Sequence, residues 1–356
     1  MLNLEQPRIL LCRLSALGDC VHTMPLASAL RRHIPGVHIT WLTQESSLPL
    51  LKGHPAVDDF LTVRKGFMRS PRDVFALRDL LQRRKFDITI DPQSLSKSAI
   101  PAWLSGARTR IGFAGPDGRE AAPWLNNVMV RPEHLHVVDR YMELLRPLGI
   151  ENADVEFQLP ICTESQARID QLLDTTIDSD APIVMHPGAG WNSKLWPHMR
   201  YAQMAAWLGR RYGIRTVFAW FGNRMRRWVK QMVRRADGHA VAAPSLTLPE
   251  LVALLHRARL FVGSDSGPLH MAAAMDVPTV SMYGPTLPDR NGPYRQGHSA
   301  LQVVYQSGTT RQRRRARNDA MREITSEMVM EACELMLETS LARSGEKALQ
   351  TASREN

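Results

Sequence analysis

Val262-Gly-Ser-Asp-Ser-Gly-Pro-Leu-His270, which runs into Met271-Ala-Ala-Ala274, is the stretch that decides the fold. Leu260 to Val262 has the character of a short buried strand, and it ends in a glycine, serine and aspartate turn that opens directly into a helix at 266–275. The first backbone N–H groups of a helix have no partner within it, so they suit an anion such as phosphate. The stretch therefore predicts a strand-turn-helix unit with an anion cradle at the turn.

The side chains of this turn fit a nucleotide. Gly263 and Gly267 let a ligand approach the main chain, and Asp265 can either cap the helix or hold a ribose hydroxyl. His270 lies one turn further on and faces the same end of the helix. A glycine-containing turn of this kind also occurs in α/β proteins that bind nothing there, so the motif alone leaves both interpretations open.

Strand-like and helix-like segments alternate along the whole chain. Such alternation predicts parallel sheets covered by helices on both faces. We therefore expect an α/β protein of two doubly wound, Rossmann-like domains that face each other across a cleft, with ligands at the carboxyl ends of the strands. The predicted strands are Ile9 to Cys12, Val37 to Leu42, Phe60 to Val63, Asp87 to Ile90, Arg110 to Phe113, Ile183 to His186, Thr216 to Trp220, Leu260 to Val262 and Thr279 to Met282.

Composition shifts give the expected domain boundaries. Residues 1–155 form the predicted first domain, and residues 156–180, which include an acidic helix-like stretch, form the predicted linker. The second domain is expected at 181–324 and a closing amphipathic helix at 325–343. The polar tail 344–356 is expected to be flexible.

The composition is that of a soluble globular protein. Of the 356 residues, 44% are apolar and 22% are charged, and no apolar run approaches the roughly 20 residues of a membrane span. The four cysteines have no paired spacing, which disfavours a disulfide framework and a cysteine metal site. The polar first residues do not resemble a signal peptide, so we expect a cytoplasmic protein.

The formal net charge of +10 predicts an anionic partner, which can be nucleic acid, anionic lipid or a phosphorylated glycan. The densest basic run, Arg311 to Arg317, is expected to be an exposed and merely solvated loop. Aromatic residues do not alternate with these arginines, so nucleic acid is not expected.

Three further turns carry candidate chemistry. In Arg13-Leu-Ser-Ala-Leu-Gly-Asp19, Gly18 permits a tight entry to a helix and Asp19 stands at the helix mouth, as a helix cap or as a general base for a sugar hydroxyl. The turn lacks the G-x-G-x-x-G of dinucleotide-binding dehydrogenases.

The second turn is His186-Pro-Gly-Ala-Gly-Trp-Asn-Ser-Lys194. Its two glycines, Ser193 and Lys194 suit a diphosphate. The alternative is a surface lysine beside a core tryptophan.

The third turn, Asp91 to Ala99, brings polar and cationic side chains to the end of a strand in the first half of the chain. Such groups suit an anionic acceptor, although a purely structural role is about as plausible for this turn. With further cations of the same half, the expected acceptor-binding residues are Lys65, Arg69, Gln93, Lys97, Ser98 and Arg119.

Five motifs taken together resemble the bacterial heptosyltransferase family, enzymes that transfer heptose from ADP-heptose onto the lipopolysaccharide inner core. Their order and intervals match the family from about residue 8 to residue 340. The motifs are Arg13-Leu-Ser-Ala-Leu-Gly-Asp19, Asp91-x-Gln-x-x-x-Lys-Ser-Ala99, His186-Pro-Gly-Ala-x-x-x-x-Lys-x-Trp-Pro197, Gly263-x-Asp-Ser-Gly-x-x-His-x-Ala-Ala-Ala274 and Tyr283-Gly-Pro-Thr286.

The resemblance implies a GT-B fold, with the acceptor on the N-terminal domain and the nucleotide sugar on the C-terminal domain. It places the general base on Asp19, the diphosphate lysine on Lys194 and a nucleobase contact on Leu246. The expected donor site then comprises Gly18, Gly188, Ala189, Gly190, Ser193, Lys194, Leu246, Asp265, Ser266, Gly267 and His270.

Two segments depart from the family pattern. The family commonly offers a glutamate to the ribose, whereas Gly222-Asn-Arg-Met-Arg-Arg227 contains none, which puts that nucleotide contact in question. Many relatives carry cysteines and histidines where this chain has Thr309 to Arg317, so no metal is expected there.

The sequence thus predicts an inverting, metal-independent glycosyltransferase without a cofactor. Its expected partners are a nucleotide sugar, ADP-heptose first, and an anionic glycolipid acceptor of the lipopolysaccharide inner core. It is expected to contact the inner face of the inner membrane peripherally. The alternative is a noncatalytic protein on the same frame that binds a sugar nucleotide or a nucleic acid.

Overall fold

The protein consists of two compact units, residues 1–160 and 161–356. The computed structural model describes residues 6–177 and 181–352. Each unit contains one six-stranded sheet in which all neighbouring strands run parallel. None of the helices in the described ranges is long and apolar enough to cross a membrane.

The first unit has the strand order β3-β2-β1-β4-β5-β6. The order reverses between β1 and β4, so the loops after these two strands open the crevice where doubly wound folds bind ligands. The strands are β1 (Arg8–Cys12), β2 (His38–Gln44), β3 (Asp59–Val63), β4 (Ile88–Asp91), β5 (Thr109–Phe113) and β6 (Val128–Val130). The helices are α1 (Leu17–His33), α2 (Leu48–Leu51), α3 (Pro71–Arg84), α4 (Ser96–Leu104), α5 (Ala122–Leu125) and α6 (Val137–Met142).

The second unit repeats this topology with the order β12-β11-β10-β7-β8-β9, and its reversal lies between β7 and β10. The strands are β7 (Ile183–His186), β8 (Thr216–Phe218), β9 (Ala240–Ala242), β10 (Leu260–Ser264), β11 (Thr279–Met282) and β12 (His298–Leu301). The helices are α7 (Thr163–Leu172), α8 (His198–Tyr212), α9 (Gly222–Arg235), α10 (Leu248–His256), α11 (Gly267–Ala274), α12 (Pro288–Asn291), α13 (Thr310–Arg315), α14 (Asp319–Arg322) and α15 (Ser326–Ala352).

The core of the second unit forms between its sheet and the helices α8, α9 and α15. The central strands β7 and β10 are buried along their whole length, as expected for strands covered on both faces. Trp196 is buried and donates its indole N–H to the carbonyl of Ile324 at 2.8 Å, which fixes the start of α15 against the loop before α8.

The predicted α/β fold of two doubly wound parallel sheets is confirmed, and each of the nine predicted strands has a counterpart. Sequence reasoning missed β6, β9 and β12, which are edge strands of three or four residues. The equally short β8 was recognised because it lies in the longer apolar run Thr216 to Trp220, whereas a short edge strand is covered less completely and gives a weaker apolar pattern.

Three segment predictions need correction. The expected linker, 156–180, contains α7, whose Ile169 is buried and whose Arg168 donates to Glu250 of α10 at 2.5 Å, so most of it belongs to the second unit. The basic run expected as a loop forms α13 over Thr310–Arg315, started by a capping box. The closing helix extends to Ala352 rather than ending at 343, and 353–356 lie outside the described residues.

Gly263 provides a test of the packing at the centre of the second sheet. A Cβ at this position would lie 2.9 Å from two ring atoms of Phe261 and 3.2 Å from the carbonyl oxygen of His186 on β7. Gly263→Ala is therefore expected to lower stability by about 1–3 kcal/mol through overpacking, seen as a lower thermal midpoint. Gly190→Ala is the matched control, because a Cβ there meets nothing within 4 Å, and equal midpoints for the two variants would contradict the packing.

Candidate functional site

Asp265, directly after β10, is the centre of a polar cluster at the carboxyl edge of the second sheet. Its Oδ2 accepts from Lys194 Nζ at 2.6 Å and from Thr286 Oγ1 at 2.7 Å, and its Oδ1 lies 3.2 Å from His270 Nε2. The carboxylate is 6% exposed. The loops after β7, β10 and β11 therefore meet at one buried carboxylate.

The charge of this cluster is set by the partners of Asp265. Burial by itself raises the pKa of the Asp265 carboxyl, but Lys194 and His270 outweigh burial and hold that pKa well below its usual range. Asp265 is thus ionised at neutral pH. An ammonium group has three N–H donors, so Lys194 keeps donors for a ligand while one is held by Asp265.

The N-terminus of α11 lies beside Asp265. The N-cap of the helix is Ser266, whose side chain forms no capping hydrogen bond. The Asp265 carboxylate is engaged by Lys194, His270 and Thr286, so the expected alternative that Asp265 caps the helix is not observed. Within the described part of the chain, Ser266 Oγ is buried and has no hydrogen-bond partner. Gly267 opens the helix and is only partly buried, which leaves its N–H end accessible to an anion.

The loop after β7 carries the remaining predicted phosphate contacts. Lys194 ends a 3₁₀ turn, Asn192–Lys194, and its Nζ lies 4.6 Å from the centre of the Trp191 ring. Ser193 is fully buried, Ala189 is half-buried and Gly190 is exposed.

Gly188 has a packing reason that the sequence did not reveal. A Cβ there would lie 2.1 Å from Met225 Cε of α9 and 2.8 Å from His186 Nε2. His186 is itself buried and places Nδ1 3.0 Å from the carbonyl of Ala219, and its burial lowers its pKa to about 4. Gly188 therefore lets α9 approach the β7 loop, and His186 is neutral at physiological pH.

A cavity of about 500 Å³ opens at the carboxyl ends of β8 and β9. Its walls include Trp220, Asn223, Arg226 and Ser245, and Leu246 is the next residue along that loop. The described residues that line this cavity include no carboxylate. The lining of this cavity therefore also lacks the glutamate that is missing from the segment 222–227 of the sequence.

In the first unit, Asp19 lies in the first turn of α1. The helix begins at Leu17, with Ala16 as its N-cap, and Asp19 Oδ2 accepts from the Ala16 N–H at 3.1 Å. Asp19 is half-buried. Asp19 therefore caps the helix through Oδ2. Among the described residues, none forms a hydrogen bond with its other carboxylate oxygen, Oδ1. Gly18 is buried beside it in this same unit, whereas the other predicted donor residues lie in the second.

Two cations stand near Asp19. Arg13 is buried, donates to Thr23 Oγ1 at 3.2 Å and to the Pro92 carbonyl at 3.0 Å, and lies 4.7 Å from the centre of the Tyr141 ring. Lys97 Nζ donates to Ser15 Oγ at 2.7 Å. Burial and the Arg13 charge lower the pKa of Lys97, while the Asp19 carboxylate raises it.

The turn after β4 is built around Asp91. This fully buried carboxylate accepts from the N–H groups of Ser94 at 2.9 Å and Gln93 at 3.2 Å, and burial raises its pKa to about 6. Gln93 Oε1 accepts from the Leu14 N–H at 3.0 Å, and Ser98 Oγ exchanges hydrogen bonds with Leu95. Gln93 and Ser98, predicted to bind acceptor, thus join and cap the protein's own loops.

The remaining predicted acceptor residues are spread along the sheet edge. Arg119 is exposed and its N–H donates to the Ser94 carbonyl at 3.1 Å, which places it beside the β4 turn. Lys65 and Arg69 are exposed on the segment after β3, an edge strand two positions from β1. The structure therefore groups Lys97 and Arg119 with the β1 and β4 loops, and Lys65 and Arg69 elsewhere.

Sequence reasoning missed Arg13 and Thr286 as side chains of these sites. Both stand inside motifs that were recognised, Arg13 directly after β1 and Thr286 shortly after β11. Their position was the available signal, because polar residues that follow a strand of a doubly wound fold lie at the edge of the sheet where ligands bind.

Comparison with known proteins identifies the family. A family model described as glycosyltransferase family 9 (heptosyltransferase) matches residues 74–321. The chain is 31% identical over 302 residues to lipopolysaccharide heptosyltransferase 1 of Pseudomonas aeruginosa, a match that covers 81% of each protein.

Solved structures agree on the fold. A crystal structure of a family 9 glycosyl transferase from Veillonella parvula matches with a TM-score of 0.79 at 24% identity and covers 95% of this chain and 99% of that one. The heptosyltransferase WaaC of E. coli, solved with ADP-2-deoxy-2-fluoro heptose, matches with a TM-score of 0.73 at 23% identity and covers 92% and 99%. The chain therefore belongs to glycosyltransferase family 9, the heptosyltransferase family, and is a glycosyltransferase of GT-B fold.

Proposed function

We propose that this enzyme transfers a heptose, or a similar sugar, from a nucleotide diphosphate donor to a hydroxyl of the lipopolysaccharide inner core or a related anionic glycolipid. The relative that is 31% identical is a lipopolysaccharide heptosyltransferase, which supports this acceptor class. ADP-heptose is the first candidate donor, because the WaaC structure contains a fluorinated ADP-heptose. The observation that carries the proposal is the Lys194–Asp265–His270 cluster at the mouth of α11.

The proposed role of this cluster is to stabilise the leaving group. As the bond from the anomeric carbon to the diphosphate oxygen breaks, negative charge grows on the nucleoside diphosphate. Lys194 and the free N–H groups of α11 are preorganised donors for that charge, an arrangement worth several kcal/mol in other enzymes. Asp265 is proposed to hold Lys194 in place, so that no metal ion is required.

Asp19 is the proposed general base. It accepts the proton of the acceptor hydroxyl while that oxygen attacks the anomeric carbon and the nucleoside diphosphate leaves from the opposite face. Direct displacement of this kind inverts the anomeric configuration. The cations Arg13 and Lys97 at the same loops favour an anionic acceptor, and Lys65, Arg69 and Arg119 are proposed to steer it.

The acceptor implies where the enzyme works. A glycolipid acceptor is embedded in a membrane, so we propose a cytoplasmic enzyme that contacts the inner face of the inner membrane peripherally. Salt screens the attraction between exposed cations and an anionic acceptor. The rate of transfer to a membrane-embedded acceptor is therefore expected to fall as the salt concentration rises.

The second candidate function is noncatalytic binding of a sugar nucleotide or a nucleic acid. It is favoured by one observation, the cavity at β8 and β9 whose described lining offers cations and no carboxylate to a ribose. Binding without turnover separates this candidate from the proposed transferase.

The proposed general base can be tested at Asp19. Asp19→Asn retains an oxygen that can accept from the Ala16 N–H but removes the base, so turnover is expected to fall roughly 10²–10⁴-fold with little change in thermal midpoint or donor affinity. Initial rates of sugar transfer with saturating donor measure this. A loss of activity that only follows a loss of stability would assign Asp19 to helix capping alone.

The proposed donor site can be tested by nucleotide binding. Wild type is expected to bind ADP more tightly than GDP or UDP in a calorimetric titration without added metal. Lys194→Ala is expected to weaken ADP binding roughly 10- to 100-fold, because a charge-assisted hydrogen bond to phosphate is lost. Lys194→Arg keeps the charge and should lose less.

Lys52→Ala, an exposed lysine of the first unit, is the control and should bind ADP as wild type does. Absence of binding to all three nucleotides would overturn the proposed donor. Equal ADP affinity of wild type and Lys194→Ala would show that Lys194 does not contact the diphosphate.

A further inference from the structure

Helix α9 has a solvent face made of cations. Its 14 residues contain six basic side chains and no acidic one, and all six are exposed. They are Arg224, Arg226, Arg227, Lys230, Arg234 and Arg235. Arg226 and Lys230 also line the cavity at the ends of β8 and β9, so Arg224, Arg227, Arg234 and Arg235 form the cationic face that is clear of that cavity. At 1.5 Å per residue the helix is about 21 Å long.

The opposite face of α9 is anchored in the core of the second unit. Val229 and Met232 are fully buried, and Met225 packs against the Gly188 loop. The cations therefore cannot turn inward, and a helix with one basic face and one apolar face is held with its charges outward.

These charges are not neutralised by the protein. Among the described residues, none of the six side chains of α9 forms an ion pair with a carboxylate, whereas Arg210 of α8 pairs with Asp237 and Arg295 pairs with Asp276. Unpaired like charges on one helix repel each other, at a cost that an anionic partner removes. The face is therefore complementary to a surface of dense negative charge.

An apolar notch lies at the side of this face. It has a volume of about 280 Å³, and its lining includes Trp196, Pro197, Met199, Trp228 and Arg322. An amphipathic helix with arginines on its polar face and tryptophan beside them is typical of proteins that bind a membrane surface.

Trp228 offers little open ring face for stacking on a nucleic acid base. His198 stacks on the Trp228 ring with centroids 5.3 Å apart, and the guanidinium of Arg224 lies 4.6 Å from its centre. Binding of single-stranded nucleic acid depends on exposed aromatic faces, so the geometry favours a lipid surface over that partner.

We propose that the cationic face of α9, with the adjoining Trp228 notch, is the surface by which the second unit docks on an anionic phospholipid bilayer. This inference rests on the proposed peripheral membrane contact and assigns a surface to it, and it does not depend on the sugar or the acceptor of the reaction. It adds a lipid contact on the second unit to the steering cations of the first. Basic residues at an anionic bilayer contribute about 1 kcal/mol each.

The test is cosedimentation of the full-length protein with vesicles, without donor or acceptor. Wild type is expected to bind phosphatidylcholine vesicles that contain phosphatidylglycerol, not phosphatidylcholine alone, and to be released by salt. The triple variant Arg227→Gln, Arg234→Gln, Arg235→Gln is expected to partition about 100-fold less, since three basic contacts are lost. Glutamine matches arginine in helix propensity, so α9 should stay folded.

Two matched variants make the result specific. Changing the same three arginines to lysine keeps the charge and should keep vesicle binding. Changing Arg257, Arg259 and Arg295 to glutamine removes the same net charge elsewhere in the second unit and should also leave binding close to that of wild type.

Three outcomes would overturn the proposal. One is absence of wild-type binding to the phosphatidylglycerol vesicles. Another is an equal loss in both glutamine triple variants, which would make net charge alone responsible. The third is α9-dependent binding of duplex DNA without vesicle binding, which would assign the face to nucleic acid. Because no sugar transfer is measured, failure of the proposed reaction leaves this result interpretable.

Discussion

The hydrogen-bonded ion pair between the buried Asp265 carboxylate and Lys194 is the interaction on which the polar cluster of the second unit depends. A charge that is 6% exposed is tolerated only when it is paired and hydrogen-bonded. Lys194 in the loop after β7, His270 on α11 and Thr286 in the loop after β11 meet that demand. The same contacts that satisfy Asp265 therefore fix the ammonium of Lys194 at the turn that leads into α11. The ion pair that neutralises Asp265 is thus also the contact that positions Lys194.

Each unit has a buried aspartate at the corresponding point of its sheet, and the surroundings shift the pKa values of the two carboxyls in opposite directions. Asp91 ends β4 and Asp265 follows β10, and these are the fourth strands of sheets that share one topology. Asp91 is surrounded by backbone N–H groups, and burial raises its pKa to about 6. Asp265 faces Lys194, and its pKa falls instead. One buried aspartate organises a loop, and the other also holds the ammonium group of Lys194.

Several residues that look like ligand contacts in the sequence serve the protein's own packing. Gly188 admits Met225 of α9, and Gln93 Oε1 ties the β4 turn to Leu14. Conversely, Arg13 and Thr286 received no role from the sequence, although each contacts a site residue or its loop. A motif marks where loops converge, but it does not say which of its side chains face a ligand.

The sequence by itself determined the two parallel α/β units, the strand-turn-helix elements and the family, because these follow from local periodicity, turn residues and motif order. It did not determine the short edge strands, the helical state of Arg311 to Arg315 or the partners of Asp265. Lys194 and Asp265 are 71 residues apart, and only the parallel pairing of β7 with β10 brings them within 2.6 Å. Hydrogen bonds between distant loops depend on sheet register, so tertiary structure alone decided the chemistry of the site.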